Sequence, residues 1–371
     1  MIRILHFISD SNIGGAGRLI CNLISNMDLN KFETIVALPK GSALIAPLSS
    51  LPCEIIELDC APDKSFCIKD VLKMRKVIKK TSPSIVHSHA SLSSRIASLS
   101  LGIPSRIFTK HCSFGENTHS KLSFVTGALN NILSSSIIAT SDSAKRELIN
   151  MGCNEKKIKI ITNGTEALPP LNENERKEIR KQYGFDEDNF IIGIFARLEK
   201  YKGHKTLISS AQICKKRYPK FRFLIVGDGS IMEELKEYAK LLDVDDIIKF
   251  TGFCENVSPL FNITDLNVNC SYLSETSSLS LCEGMSLGIP SVVSNCGGNP
   301  HMVKNEMNGL VFTKNDPSSL SRALIRLYSD KELYQKCSTL ARKRYETEFS
   351  AKIMVENTMK LYCKEYKKQF T

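Results

Sequence analysis

The sequence predicts an α/β fold made of two doubly wound domains, each a parallel sheet covered by helices. Three observations carry this expectation. Short runs rich in Ile, Val and Leu alternate with amphipathic helical stretches through both halves of the chain, the pattern of strands buried on both faces. Each run ends in small or polar residues just before a helix. That places loops at the carboxyl ends of the strands, the edge where open α/β sheets bind ligands. A length of 371 residues exceeds one ordinary domain and suits two of average size.

The elements follow in order. MIRILHFISD opens basic and apolar, like a leader peptide, but its apolar stretch is short and passes into SNIGGAGR without a small-residue cleavage pattern. It therefore reads as the first buried strand. FETIVAL, CEIIEL, SIVHSH, SRIFTKH, SIIATS and KIKIITN complete the first sheet. Pro169–Pro170 then stops regular structure, and the acidic-then-basic run after it reads as a helix. The second sheet takes FIIGIFA, FRFLIVG, IIKFTGF, LNVNCS, PSVVSN and GLVFT. The expected division is 1–167, 168–352, and a C-terminal helix over 353–371 that can return to the first domain. No solenoid period and no low-complexity segment is present.

Composition narrows the class. Hydrophobic residues make up 42% and charged residues 24%, a globular balance. No apolar run reaches the roughly 18 residues that span a bilayer. The 13 cysteines are odd in number, and none form CxxC. Reduced core thiols of a cytoplasmic protein are expected, with no cysteine metal site. The net charge is +11, and residues 1–167 hold 20 Lys+Arg against 13 Asp+Glu. That surplus suits an anionic partner: a phosphate-bearing substrate or an anionic membrane surface. Nucleic acid is not expected, because no helix-turn-helix, zinc or RNP-type pattern accompanies the charge.

Three motifs carry chemistry. Gly14-Gly15-Ala16-Gly17 follows the first strand. Glycines there permit positive φ and close approach of a phosphate to a helix N-terminus, although a simple tight turn reads the same way. It is not GxGxxG, and no ribose-binding acid follows, so no dinucleotide cofactor is expected. Arg197 and Lys202 lie in a loop that opens a helix. Two such cations can clamp a diphosphate without a metal, or they are ordinary surface bases. Glu275 and Glu283 lie in SYLSETSSLSLCEGMSLGIPSVVSNCGGNP. A helix expected from Leu279 to Gly288 aims its N-terminus, with the loop amides of Ser277 and Ser278, at one anion site. The bland alternative is two surface acids, and the sharper rival is a glycosidase pair.

These motifs together resemble the family 4 glycosyltransferases of the GT-B fold, of the bacterial polysaccharide and glycolipid type. The resemblance rests on Arg197…Lys202, VGDG ending at Gly229, Glu275 and Glu283 in E-x7-E, and the following GxPxVxSxxGG. In the first half GGAGR is similar to that family's GGAER turn, SIVHSHASLSSR to its VHxH segment and FTKHC to its T-x-H strand end. The resemblance implies two Rossmann-like domains facing a central cleft and a metal-independent, retaining transfer of a hexose or N-acetylhexosamine. The donor would be a nucleotide-diphosphate sugar, a UDP-sugar first among them. The acceptor would be a glycan or a polyprenyl-linked lipid in cell-surface polysaccharide biosynthesis, at the inner face of the cell membrane. Arg197 and Lys202 would hold the diphosphate, Gly15, Gly229, Ser277, Ser278 and Leu279 would line the donor site, and Glu283 would meet the ribose. Catalysis would fall to Glu275 at the donor sugar and His111 near the leaving group. Phe253 stands where the family places the nucleotide base, and a core phenylalanine reads the same way.

The chain departs from the family where EGFG becomes Glu275-Thr276-Ser277-Ser278, where His301 replaces an acid, and where Gly17 replaces the acid of GGAER. These changes leave the donor open. An epimerase or phosphorylase of the same fold is one rival, separated by the products of a donor-only incubation. A non-catalytic nucleotide- or sugar-binding protein is another. His87 and His89 share one face of a strand end but lack an evident third metal ligand. Asp243-Val244-Asp245 imitates a metal-binding DxD but reads as an exposed turn. The basic run KDVLKMRKVIKK reads as a solvated helix face or an anionic-membrane contact.

Overall fold

The computed structural model describes residues 1–11, 14–111 and 121–370. Two compact units emerge: Met1–Thr165 with Ala351–Thr371, and Glu166–Ser350.

The first unit holds a seven-stranded sheet. Its strands are β1 (Ile2–Ile8), β2 (Phe32–Pro39), β3 (Glu54–Leu58), β4 (Ile85–His89), β5 (Ser105–Lys110), β6 (Ser136–Ala139) and β7 (Ile158–Ile160). Their order is β3-β2-β1-β4-β5-β6-β7, and every pairing is parallel. Side chains alternate between the faces of β1. Ile4 packs with Leu19, Ile85, Ile107, Met354 and Tyr362 on one side. Leu5 and Phe7 pack with Val71, Met74, Ile78 and Ala97 on the other. The last helix, Ala351–Lys367, therefore completes the core of this unit.

The second unit holds six strands: β8 (Phe190–Phe195), β9 (Phe221–Val226), β10 (Ile248–Gly252), β11 (Leu266–Asn269), β12 (Ser291–Ser294) and β13 (Gly309–Phe312). Their order, β10-β9-β8-β11-β12-β13, is the doubly wound 3-2-1-4-5-6 arrangement, which switches direction between β8 and β11. The helix after the double proline spans Glu173–Gln182 and starts with a reciprocal capping box between Asn172 and Glu175. All thirteen expected strands are present. The helix expected to run to Gly288 stops earlier, covering Leu279–Ser286, and Gly288 takes φ +73 in the turn that follows.

The described cysteines are free thiols, and Cys153, Cys214, Cys270, Cys282, Cys296 and Cys337 are buried. Cys112 lies outside the described residues. No described helix is long and apolar enough to cross a membrane.

Candidate active site

In the second unit, the candidate site residues gather at the carboxyl ends of β8, β9 and β11. Backbone bonds from Ala196 N to Val226 O (3.0 Å) and Leu198 N to Asp228 O (2.9 Å) zip the β8 and β9 loops together. Gly229 is required there, because a Cβ on it would sit 2.4 Å from the Leu198 carbonyl oxygen. The β8 loop ends in the short turn Lys200–Lys202, followed by Gly203 at φ +75. A side chain at Gly203 would strike the Cys270 carbonyl oxygen at 2.1 Å, so glycine lets this turn press against the end of β11.

That approach brings Lys202 to Glu275. Lys202 Nζ lies 2.8 Å from Glu275 Oε2, and the two side chains are 18% and 9% exposed. Asn269 Nδ2 (3.2 Å) and Ser271 Oγ (2.8 Å) donate to the same oxygen. Burial alone would raise the Glu275 carboxyl. The Lys202 charge and these hydrogen bonds outweigh it and hold the group below its ordinary range. Glu275 is therefore an ionised carboxylate at neutral pH. Its own backbone is braced too, since Gly298 N donates to Glu275 O at 3.0 Å. A Cβ on Gly298 would fall 1.6 Å from Thr276 O, so the GG after β12 is what allows this loop-to-loop fit.

Arg197 is exposed, and its Nη2 donates to Tyr201 Oη at 3.1 Å. Lys202 Nζ lies 5.3 Å from the centroid of the same ring. Tyr201 thus stands between the two predicted cations, a residue that the reading of the motif passed over. Asn269 and Ser271, which orient Glu275, were also missed.

Ser277 is buried and Ser278 is the N-cap of the helix Leu279–Ser286. The Ser278 side chain makes no cap bond to that turn; its Oγ lies 3.0 Å from Ser280 Oγ. The Ser278 amide is engaged by Met302 Sδ at 3.1 Å, so it is not among the amides left for an anion in this conformation. Leu279 opens the helix half-exposed, and Glu283 is buried one turn along it. Phe253 is 70% exposed, which removes its reading as a core residue. Asp243 is exposed, at φ +54, and pairs with Lys215 at 3.3 Å; it is a surface turn.

The first unit gathers a different set. Gly15 is the first residue of the helix Gly15–Ser25, and Gly14 is its N-cap at φ −96. Neither they nor Gly17 takes the positive φ that glycine would allow. A Cβ on Gly14 or Gly15 would meet nothing within 4 Å, whereas one on Gly17 would sit 2.3 Å from Leu44 Cδ2. Leu44 occupies the space that a side chain at position 17 would need.

His111 follows β5 directly and is half-buried. Its Nε2 lies 3.0 Å from His89 Nδ1. His89 Nε2 in turn lies 3.2 Å from His6 Nδ1. His87 stacks on His89 with ring centroids 4.2 Å apart, and its two nitrogens each meet a hydroxyl at 2.7 Å, from Tyr362 and Thr109. His6 is thus the third imidazole that the sequence did not reveal, and ligand atoms of His6, His87 and His89 lie within 4.8 Å of one another. Burial holds His6 down at about 3 and His111 at about 4, and pushes His87 and His89 well below the ordinary imidazole value. All four are neutral at pH 7.

Comparison with known proteins matches this architecture. The family model "Glycosyltransferase Family 4" matches residues 13–167, and "Glycosyl transferases group 1" matches residues 175–344. EpsD of Bacillus subtilis is 28% identical over 57% of this chain, though the alignment spans only 55% of EpsD. An Escherichia coli enzyme, UDP-Gal:alpha-D-GlcNAc-diphosphoundecaprenol alpha-1,3-galactosyltransferase, is 29% identical over 72% of each chain. HepE of Anabaena, solved in complex with UDP and glucose, superposes with a TM-score of 0.85 at 20% identity, covering 98% of this chain and all of its own. With one model on the first sheet and the other on the second, the chain belongs to the family 4 glycosyltransferases of the GT-B fold.

Proposed function

We propose that the protein is a retaining, metal-independent glycosyltransferase that moves a hexose or N-acetylhexosamine from a UDP-sugar to a glycan or polyprenyl-linked acceptor in cell-surface polysaccharide biosynthesis. The observation that carries this reading is the buried Lys202–Glu275 pair, seated on Asn269 and Ser271 at the switch point between β8 and β11. It holds a fixed ammonium and an ionised carboxylate side by side where a doubly wound sheet binds ligands. The UDP and the lipid acceptor draw support from the E. coli relative's name and from the UDP and glucose of HepE.

The chemistry follows from charge. Breaking the sugar–phosphate bond places negative charge on the leaving diphosphate. Arg197 and Lys202 stabilise that charge more in the transition state than in the ground state, and no metal is needed for the task. Glu275 accepts hydrogen bonds from the donor sugar, and Glu283 from the ribose. Phe253 lies against the nucleotide base. His111 meets the reactants from the first unit. With no carboxylate assigned as nucleophile, retention fits attack from the face that the diphosphate leaves, with the leaving phosphate taking the acceptor's proton.

The membrane is the proposed setting. The helix Lys121–Leu133 exposes Phe124, Val125, Leu129 and Ile132 along one side. Phe66, Ile68 and Leu72 are exposed beside Lys69 and Lys76 of the basic helix Ile68–Thr81. Exposed apolar side chains together with the lysines of the basic helix suit an anionic lipid surface. Sedimentation with anionic liposomes should fall as salt rises, and equal sedimentation with neutral ones would refute the electrostatic part.

Two substitutions test the catalytic reading. Glu275→Gln should keep most affinity for free UDP and lose about 100-fold or more in turnover, because the lost contact orients the sugar. Glu283→Gln should weaken UDP and whole donor alike, a uniform loss seen mainly in KM. A glycosidase-type pair predicts loss of cleavage in both variants and no UDP binding.

A further inference from the structure

The imidazoles of the first unit form a chain rather than a loose cluster. His111 Nε2 faces His89 Nδ1 at 3.0 Å, and His89 Nε2 faces His6 Nδ1 at 3.2 Å. The rings lie nearly parallel at both steps, with interplanar angles of 23° and 24°. The far end is closed. His6 is fully buried, and its Nε2 has no hydrogen-bond partner among the described residues.

A neutral imidazole has one N–H and one bare nitrogen. Each ring–ring bond needs an N–H on one side and a lone pair on the other. If His111 carries its proton on Nε2, it donates to His89 Nδ1. His89 must then hold its proton on Nε2 and donate to His6 Nδ1, and His6 must hold its own on Nε2. Reversing any one ring reverses all three. Only two arrangements satisfy both bonds: every proton on Nε2, or every proton on Nδ1. A mixed set would face two N–H groups or two lone pairs across a buried 3 Å gap, which costs a buried hydrogen bond.

We propose that His6 and His89 are positioning residues that lock the tautomer of His111 to their own, so that all three rings carry their protons on the same nitrogen. The proposal rests on the reading that His111 meets the reactants. The chain is a lock and not a proton wire. With every proton on Nε2, a proton reaching His111 Nδ1 could release the Nε2 proton to His89 Nδ1, and His89 could release its own to His6 Nδ1. At His6 the transfer ends, since its Nε2 proton has no acceptor among the described residues. The positive charge would be stranded on the most buried ring. His87 stands outside the chain, both of its nitrogens being taken by Tyr362 and Thr109.

The test begins on the unaltered protein, with long-range 1H–15N correlation of 15N-histidine at pH 7. His6, His89 and His111 are expected to be neutral and to share one tautomer; two different tautomers among the three would overturn the lock. A transition metal bound stoichiometrically by His6, His87 and His89 in the purified protein, found by elemental analysis, would overturn it equally. His6→Leu comes next, because His6 makes no bond to His111. It should shift the tautomer balance of the His111 signal and lower turnover by about 10-fold, the scale of outer hydrogen-bond partners, with UDP affinity unchanged. His89→Leu should behave alike, and His89→Asn, which keeps an amide where Nδ1 was, should recover part of the loss. An unchanged His111 tautomer in His6→Leu would defeat the proposal. Full activity in His111→Ala would instead defeat the reading of His111 itself, leaving the spectroscopic result to stand alone.

Discussion

The two sheets place ionisable groups at the same edge, the carboxyl ends of their central strands, and treat charge in opposite ways. Beside β8 and β11 the second unit keeps its charge: Glu275 stays ionised because Lys202, Asn269 and Ser271 compensate its burial. Beside β1, β4 and β5 the first unit removes charge: His6, His87, His89 and His111 stay neutral because burial disfavours their charged forms. A buried charge is tolerated when paired and otherwise titrates away. The fixed charge pair of the second unit suits the phosphate-bearing donor proposed above.

Acid should separate the units most strongly. An imidazole with a depressed folded pKa leaves the unfolded chain holding more protons below about 6.5. Its stabilising effect is complete above that value and is lost as the pH falls toward the folded pKa. Each such group removes about 1.4 kcal/mol per pH unit. Four of them act together in the first unit, and over about two pH units they remove about 11 kcal/mol, comparable to a domain's typical 5–15 kcal/mol. The second unit has His204, held at about 3 by burial and by Lys202. Its Glu275 is lost only as the pH falls through a folded value below 4.5. Hydrogen exchange resolved by peptide, at falling pH, should show Met1–Thr165 opening first, by about pH 5. Opening that begins in Glu166–Ser350 would break the comparison.

The pairing in the second unit can be broken from one side. Lys202→Met leaves Glu275 buried without its cation and should cost about 3–5 kcal/mol, the penalty for orphaning one member of a buried pair. Adding Glu275→Gln removes the orphaned charge, so the double variant should regain most of the lost melting temperature while remaining inactive. A single variant as stable as the parent protein would mean that Glu275 is compensated without Lys202.

How much of this was legible in the sequence follows from the range of the interactions. The thirteen strands were readable because each is a local Ile/Val-rich run, buried on both faces. The helix after Asn172 was readable because the acidic-then-basic run that follows Pro169–Pro170 is a local signal. The partners of the site were not. Lys202 and Glu275 are 73 positions apart and His6 and His89 are 83, and no local pattern encodes such pairings. His6 sits inside IRILHFI, where a polar residue among apolar ones reads as an ordinary strand position. Its face is set by alternation with Ile4, but its neighbour His87 is set by the β1–β4 register. Tyr201 could have been suspected from its place between Arg197 and Lys202, as an aromatic between two cations.

Arg197 sharpens the comparison further. It is an exposed cation held by one bond to Tyr201, so it costs little to keep when no ligand is present and is available to fork onto a diphosphate. Arg197→Ala should weaken UDP binding by about 1.5–3 kcal/mol, the scale of a charged hydrogen bond, and leave the melting temperature unchanged. Calorimetry with UDP reads the first and a thermal scan the second. Unaltered affinity would remove Arg197 from the clamp.

Phe253 should show the smallest effect and the cleanest separation between binding and folding. It follows β10 and leaves 70% of its surface in water. Truncating it therefore removes almost no packing, and Phe253→Ala should stay within about 0.5 kcal/mol of the parent stability. If the ring lies against the donor's base, UDP affinity should fall by about 1 kcal/mol, the low end of base–aromatic stacking. Turnover at saturating donor should hold, because the base is remote from the bond that breaks. Phe253→Tyr keeps the ring and should bind UDP like the parent, whereas Phe253→Leu keeps apolar bulk without the π-face and should not. A Leu variant that binds as tightly as the Tyr variant would show that no stacking occurs at this position. The base would then be held elsewhere on the second unit, and Phe253 would join the exposed apolar side chains whose partner is a surface rather than a nucleotide.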